Sequence, residues 1–321
     1  MGRYIVDPAP YLRENRSFST LAIVNSESST AVAIESSPGA VRQATPPRAP
    51  TVRIRPTKGW AALNLREIWS YRDLLWILVE RNIKVIYKQT ALGIGWVALQ
   101  PLIAAAVLAI VAGSVAKLPS DGTPHFLFVF CGLAIWNYFS QTAQRSSTSL
   151  INNAQLVSKV YFPRMSIPLS HTFSTLVDFA VTLVMLFVLM AIYHLTPTLR
   201  LLAIPGFLLL TAMTATGVAL WFSALSVKYR DTSYALPLFL QIWFWASAIL
   251  YPSSMIHSPR SQTLFALNPV VGFVEGFRWC VLGHSALSPI MLWITIAMSI
   301  FVLLSGAFFF RRVERDFADI I

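Results

Sequence analysis

One carboxylate has the spacing and surroundings of a functional group. Asp178 is the single Asp, Glu, Lys or Arg within the apolar residues 167–193. An ionisable group at membrane depth is costly and is by default a functional candidate. Two interpretations fit it. The first is functional: a polar contact that lines a pathway, or a helix-to-helix hydrogen bond near Ser174, Thr175 and Thr182. The second is structural: a carboxylate that a neighbouring helix merely satisfies. Proton coupling is disfavoured, because the other apolar segments offer no titratable partners for a relay.

Aromatic side chains form a second group of candidates. Trp243, Phe244 and Trp245 are consecutive, and on a helix three consecutive rings point about 100° apart, so at least one must turn inward. Rings along a passage would stack on the apolar faces of sugars, whereas packing between helices and anchoring at the membrane interface are the alternatives. The predicted substrate-channel residues are Trp136, Tyr138, Phe239, Trp243, Trp245 and Tyr251, together with Asp178.

The motifs of catalysis are missing from the sequence. There is no G-x-x-x-x-G-K-[ST] phosphate loop, the five histidines form no H-x-x-x-H pair, and no Ser or Cys lies in a nucleophile motif. Two cysteines, Cys131 and Cys280, are too few for a zinc site or a disulfide framework, and whether they pair is left open. We therefore expect no catalytic residue, metal site or cofactor in this chain, and any energy source to lie in a partner.

The composition places the chain in a membrane. Of 321 residues 55% are hydrophobic and 12% charged, against about 25% charged in soluble domains. The mean hydropathy is +0.60, so a soluble globular enzyme is excluded. A net charge of +11 raises the question of nucleic acid, but the basic residues cluster beside apolar segments, which favours a membrane and no nucleic-acid partner.

Six apolar segments near the ~20 residues that a helix needs to cross a bilayer predict an all-α integral membrane protein. They are residues 94–116, 126–144, 167–193, 201–227, 232–250 and 289–310. With both termini in the cytoplasm, 21 of the 25 Lys and Arg residues fall on the inner side. The positive-inside rule therefore predicts cytoplasmic termini.

The segments outside the spans also have distinct patterns. Residues 1–60 carry seven prolines and Ser-rich runs, which predicts a disordered basic cytoplasmic arm, and residues 61–321 form the transmembrane domain. Residues 68–91 predict an amphipathic helix at the cytoplasmic interface, with a polar stripe at Asp73, Glu80, Lys84 and Lys88. Within residues 252–283 the apolar pieces are too short to span, so two short re-entrant helices are predicted.

The segment from Ser149 to Arg164 lies between the second and third predicted spans. Its mixture of apolar and polar residues before Pro163 predicts a short cytoplasmic helix. Such a helix is either an ordinary connection or an element that inserts into a soluble partner.

Several motifs in a fixed order resemble the membrane subunits of type-two ABC exporters of polysaccharides, such as O-antigen, capsule and teichoic-acid permeases. The resemblance covers residues 66–321 and leaves the arm outside. It rests on residues 72–76 (RDLLW), 87–93 (YKQTALG), Trp96, 100–102 (QPL), 156–164 (LVSKVYFPR), 228–231 (KYRD), 248–252 (AILYP), 267–269 (LNP) and 311–315 (RRVER).

The resemblance implies a homodimer with six spans per subunit, in the bacterial inner membrane, bound to two ATP-binding cassette subunits that hold ATP and Mg²⁺. Its cargo would be a lipid-linked polysaccharide. An exporter of lipids or small hydrophobic drugs is an alternative within the fold, and an integral-membrane glycosyltransferase is an alternative from another class.

The resemblance also implies roles for particular residues. Contact with the ATPase subunits would fall to Asp73, Glu80, Lys84, Lys88, Leu156, Lys159, Val160, Tyr161, Phe162 and Arg164. An outer gate would involve Asn268, Pro269, Glu275 and Arg278. The sugars, the lipid carrier and the role of the arm are not implied.

Overall fold

A computed structural model describes residues 69–88, 95–120, 122–159, 162–229, 231–255, 259–283 and 287–314. The predicted arm, residues 1–60, lies outside these ranges. So do Val160 and Tyr161 of the predicted coupling segment, the stretch from Ser149 to Arg164 that would contact an ATPase subunit. Within the described ranges the chain is helical and contains no β-strand.

The helices follow one another with short connections. In chain order they are α1 (Arg72–Tyr87), α2 (Gly95–Ile110), α3 (His125–Ser147), α4 (Ser149–Asn152), α5 (Ala154–Lys159), α6 (Ser166–Ile192), α7 (Ile204–Lys228), α8 (Thr232–Trp245), α9 (Pro259–Ala266), α10 (Pro269–Leu282) and α11 (Pro289–Val313). A π-helical turn, Val111–Val115, continues α2, and a 3-10 turn, Leu199–Ala203, precedes α7. The predicted coupling segment is thus two short helices, α4 and α5, rather than one.

Five helical stretches within the described residues are long and apolar enough to cross a membrane. They are Gly95–Val115, His125–Ser147, Ser166–Ile192, Leu199–Lys228 and Pro289–Val313, and they confirm five of the six predicted apolar segments. The remaining segment, residues 232–250, contains α8, whose 14 residues are about 21 Å long, short of a ~30 Å hydrocarbon layer. A sixth complete span therefore stays a prediction.

Sequence signals at the helix ends account for several of these boundaries. Pro269 and Pro289 occupy first turns, where proline loses no helical hydrogen bond. The side chain of Asn268 accepts a hydrogen bond from the Val270 amide, and Ser288 accepts one from Met291. At the other end of α10, Gly283 has φ of 77°, a left-handed conformation that favours glycine.

Helix α3 is the centre of the bundle. Its most apolar stretch is 83% buried, against 22–44% for the other four spanning stretches. It packs against α2, α6, α7 and α10. The side chains on α3 are therefore the ones that connect different parts of the fold.

Helices α7 and α11 cross where two glycines meet. A Cβ atom on Gly217 would overlap the backbone carbonyl of Val302, and one on Gly306 would overlap the carbonyl of Gly217. Small residues that let backbones approach closely are typical of helix pairs in membranes, where hydrophobicity alone drives little association. This crossing fixes α11 against the bundle.

The Gly217→Ala substitution is expected to lower stability by about 1–3 kcal/mol, because the added methyl group would push two backbones apart. Thermal unfolding of the purified protein in detergent, followed by size-exclusion chromatography, measures this loss. Gly206→Ala in the same helix is the matched control, since a Cβ there meets no atom within 4 Å. Equal stability of the two variants would contradict the close crossing.

Candidate functional site

Asp178 is buried in an ion pair that joins three helices. Arg145 on α3 places its Nη1 atom 2.7 Å from Oδ2 of Asp178 on α6, and the hydroxyl of Tyr87 on α1 donates a hydrogen bond to Oδ1. The threonine expected nearby, Thr182, donates instead to the backbone carbonyl of residue 178 at 3.0 Å. The carboxylate was predicted from the sequence, but its partners were not.

A sequence signal for Arg145 existed. The predicted second span ends at residue 144, so a lone cation stands immediately at its end, and the next span contains a lone acid. Two charges of opposite sign on adjacent spans favour pairing, because each is costly alone in hydrocarbon. Gln141, one turn before, accepts a hydrogen bond from Arg145 Nη2 at 2.6 Å and orients the guanidinium.

Helix α1 is held to the bundle by polar contacts along one side. Asn82 donates to the Ser170 hydroxyl at 2.9 Å within a buried contact, and Arg81 donates to Asn153 at 2.6 Å. Burial, together with the hydrogen bond to Asp178, raises the pKa of the Tyr87 phenol. The phenol therefore stays protonated at neutral pH and remains a hydrogen-bond donor.

A polar cavity of about 110 Å³ lies beside the ion pair, between α2, α3 and α6. Its wall includes the ion pair itself, three amide side chains and one indole. These are Arg145, Asp178, Gln100, Asn137, Gln141 and Trp96.

Helix α10 contains a second buried charged group. The guanidinium of Arg278 donates to the carbonyls of Ala248 and Ile249 at 2.5 Å each and of Phe128 at 3.3 Å, and it lies over the Phe128 ring. Glu275, equally buried, is 3.4 Å away and also accepts from the Ser253 amide at 3.1 Å. Arg278 was predicted from the sequence as an outer-gate residue, and the structure buries its side chain completely.

The end of α8 explains why this cation is inside. Beyond Trp245 the chain leaves the helix, so carbonyl groups that a continuing helix would satisfy need other donors, since unsatisfied backbone groups are costly in hydrocarbon. Arg278 supplies donors to residues 248 and 249. Asn268 supplies one to the carbonyl of Ala246 at 3.3 Å.

The predicted aromatic residues fall into different environments. Trp136 and Tyr138 are buried in the core. Trp243 is half-buried, packs against Phe139 at 5.1 Å between ring centroids and donates its indole N–H to Asn268 at 2.8 Å. Trp245 and Phe239 are 56% and 45% exposed, and Tyr251 is half-buried. The channel role of all six stays a prediction.

Those residues predicted to meet an ATPase subunit that the structure describes lie around one apolar cluster. The cluster joins Leu78 of α1, Val157 of α5, Phe162 and Phe310 of α11. Phe162 is thus an anchor within the protein, and Arg164 donates to the Glu314 carbonyl at 2.9 Å. Leu156 is half-buried, whereas the exposed members are Asp73, Glu80, Lys84, Lys88 and Lys159.

Substituting Arg278→Met is expected to cost about 3–5 kcal/mol, because the Glu275 carboxylate and the carbonyls after α8 lose a buried cationic donor. The double variant Glu275→Gln/Arg278→Met should be less destabilised than Arg278→Met alone, since no unpaired carboxylate remains. Thermal unfolding of both purified variants measures this difference. A double variant that is as unstable as the single one would contradict the pairing.

Comparison with known proteins shows which protein family the chain resembles. Residues 73–282 match the family model described as ABC-2 type transporter. The O-antigen export system permease protein RfbA of Myxococcus xanthus is 28% identical over 258 residues, which cover 80% of this chain and 98% of the relative. A protein of the same name from Klebsiella pneumoniae is 28% identical over 250 residues, covering 78% and 95%. With most of its helices inside the matched region, the chain belongs to the ABC-2 type transporter family.

Proposed function

We propose that this chain is the permease subunit of an ATP-driven exporter of a lipid-linked polysaccharide, such as an O-antigen or a capsule. The observation that carries the proposal is its similarity to O-antigen export permeases over nearly their whole length. The five apolar spanning helices provide the membrane domain that such a subunit requires.

ATP hydrolysis would take place in a separate subunit, of which two copies bind a homodimer of this chain. The end of the bundle that holds α1, α4 and α5 supports this docking, because it presents exposed charged side chains above an apolar cluster that keeps the short helices in place. In this arrangement both termini would face the cytoplasm, as the positive-inside rule predicts. The protein would lie in the bacterial inner membrane, as its resemblance to polysaccharide exporters implies.

The polymer would pass along the exposed face of α8. Trp245 and Phe239 offer ring faces that suit the apolar sides of sugars without demanding one sugar sequence. Helix α10 would form the outer gate, with Asn268 and Arg278 connecting it to the end of α8. Pro269 begins α10, and Glu275 holds the chain after α8 through Ser253.

Deletion of the gene is expected to leave lipid-linked polymer inside the cell and none on the surface, because synthesis continues while export stops. Cell fractionation, lipid extraction and glycan staining locate the polymer. A complete absence of polymer would indicate a role in synthesis instead. Normal surface glycan would favour export of another lipid or of a hydrophobic drug.

A pair of tryptophan variants separates transport from folding. Trp245→Ala is expected to impair surface display of the glycan while thermal unfolding stays within about 0.5 kcal/mol, because an exposed ring contributes little to stability. Trp243→Phe should destabilise the protein by about 0.5–1.5 kcal/mol, since Oδ1 of the half-buried Asn268 side chain loses its indole donor. Normal display with Trp245→Ala would contradict a contact between this ring and the polymer.

A further inference from the structure

The cavity beside Asp178 is separate from the aromatic face of α8. Its walls come from α2, α3 and α6, and it lies near the contact between α1 and α6. Trp96 is both a wall residue and half exposed, so its ring stands at the rim of the cavity.

The polar groups of the cavity wall keep spare hydrogen-bonding capacity. Arg145 Nη1 and Asp178 Oδ2 pair with each other at 2.7 Å, but a guanidinium carries five N–H donors and a carboxylate about four acceptor sites, more than these contacts use. Gln100 and Asn137, which line the same cavity, add amide donors and acceptors. Buried polar groups are normally paired, so this wall has donors and acceptors available for a ligand or for ordered water.

The charges of Arg145 and Asp178 favour one class of ligand for the cavity. The guanidinium of Arg145 is already neutralised by a carboxylate 2.7 Å away, so a phosphate would meet Asp178 at close range and be repelled. A neutral, hydroxyl-rich molecule has no such penalty. Its hydroxyls donate to the carboxylate and to amide oxygens and accept from the guanidinium and amide N–H groups, while the Trp96 ring covers an apolar face.

We propose that this cavity is a binding subsite for a single sugar unit of the exported polymer, on the side of the bundle that carries α1. The inference rests on the proposed function and adds a polar subsite formed by Trp96, Gln100, Asn137, Arg145 and Asp178. A volume of about 110 Å³ is several times the ~10–15 Å³ that one water requires. It is smaller than the ~300 Å³ of the smallest pockets for drug-sized ligands, which suits one ring.

Photocrosslinking in living cells tests the subsite. The amino acid p-benzoylphenylalanine replaces Gln100 or Asn137 in the tagged full-length chain, expressed with its native ATPase partner. Ile103 is the matched control, because it lies on α2 but is exposed and outside the cavity wall. Trp245 is the second reference position. After illumination, the purified protein is analysed on gels with and without periodate, which cleaves the vicinal diols of sugars.

The expected result is a slow-migrating adduct from position 100 or 137 that periodate removes. Position 103 should give no such adduct. Gln100 is exposed, so a probe there keeps the test valid where the Asn137 variant fails to reach the membrane. Glycan adducts from Trp245 alone would overturn the subsite but leave the exporter intact. Adducts at the cavity that resist periodate would identify a different ligand class. If no position gives an adduct, the subsite and the exporter proposal are both contradicted.

Discussion

The fold depends on how an interrupted helix satisfies its backbone in an apolar environment. Helix α8 ends at Trp245, and the carbonyl groups of residues 248 and 249 then lie in the interior of the protein, whereas that of residue 246 lies at its exposed edge. The guanidinium of Arg278 and the side-chain amide of Asn268 donate hydrogen bonds to these carbonyls. Both residues belong to α10 or its cap, so satisfying the interrupted helix also fixes α10 in the bundle. A non-helical backbone at membrane depth is tolerated only when it is buried in this way.

The central helix α3 connects the Arg278 contacts at one of its ends to the Arg145–Asp178 ion pair at the other. Phe128, in its first turn, contributes a carbonyl and a ring to Arg278. Arg145, in its last turn, pairs with Asp178. The two positions are 17 residues apart, which corresponds to about 26 Å along a helix. One largely buried helix thus positions both the predicted gate and the polar cavity.

Composition and periodicity were sufficient to predict the all-helical membrane fold, five of the spanning helices and the amphipathic helix α1, because these follow from local hydropathy. Asp178 could be singled out for the same reason. Its pairing with Arg145 and Tyr87 depends on which helices are neighbours, and local patterns do not contain that information. The burial of Arg278 was not predicted, because the charge count assigns a cation only to one side of the membrane, whereas burial depends on the three carbonyls that the guanidinium meets in the fold. Local patterns likewise did not separate Trp243, which is half-buried and bonded to Asn268, from the exposed Trp245. That difference depends on where Asn268 lies in the fold.

The most direct test of the exporter is transport in a reconstituted system. The chain and its ATP-binding partner are incorporated into proteoliposomes with lipid-linked polymer purified from the same cells, and the polymer reaching the opposite side of the vesicle is measured. Polymer movement is expected to require both ATP and the partner, and the Trp245→Ala variant is expected to move less polymer at equal protein content. ATP hydrolysis without any polymer movement by the intact complex would contradict the account.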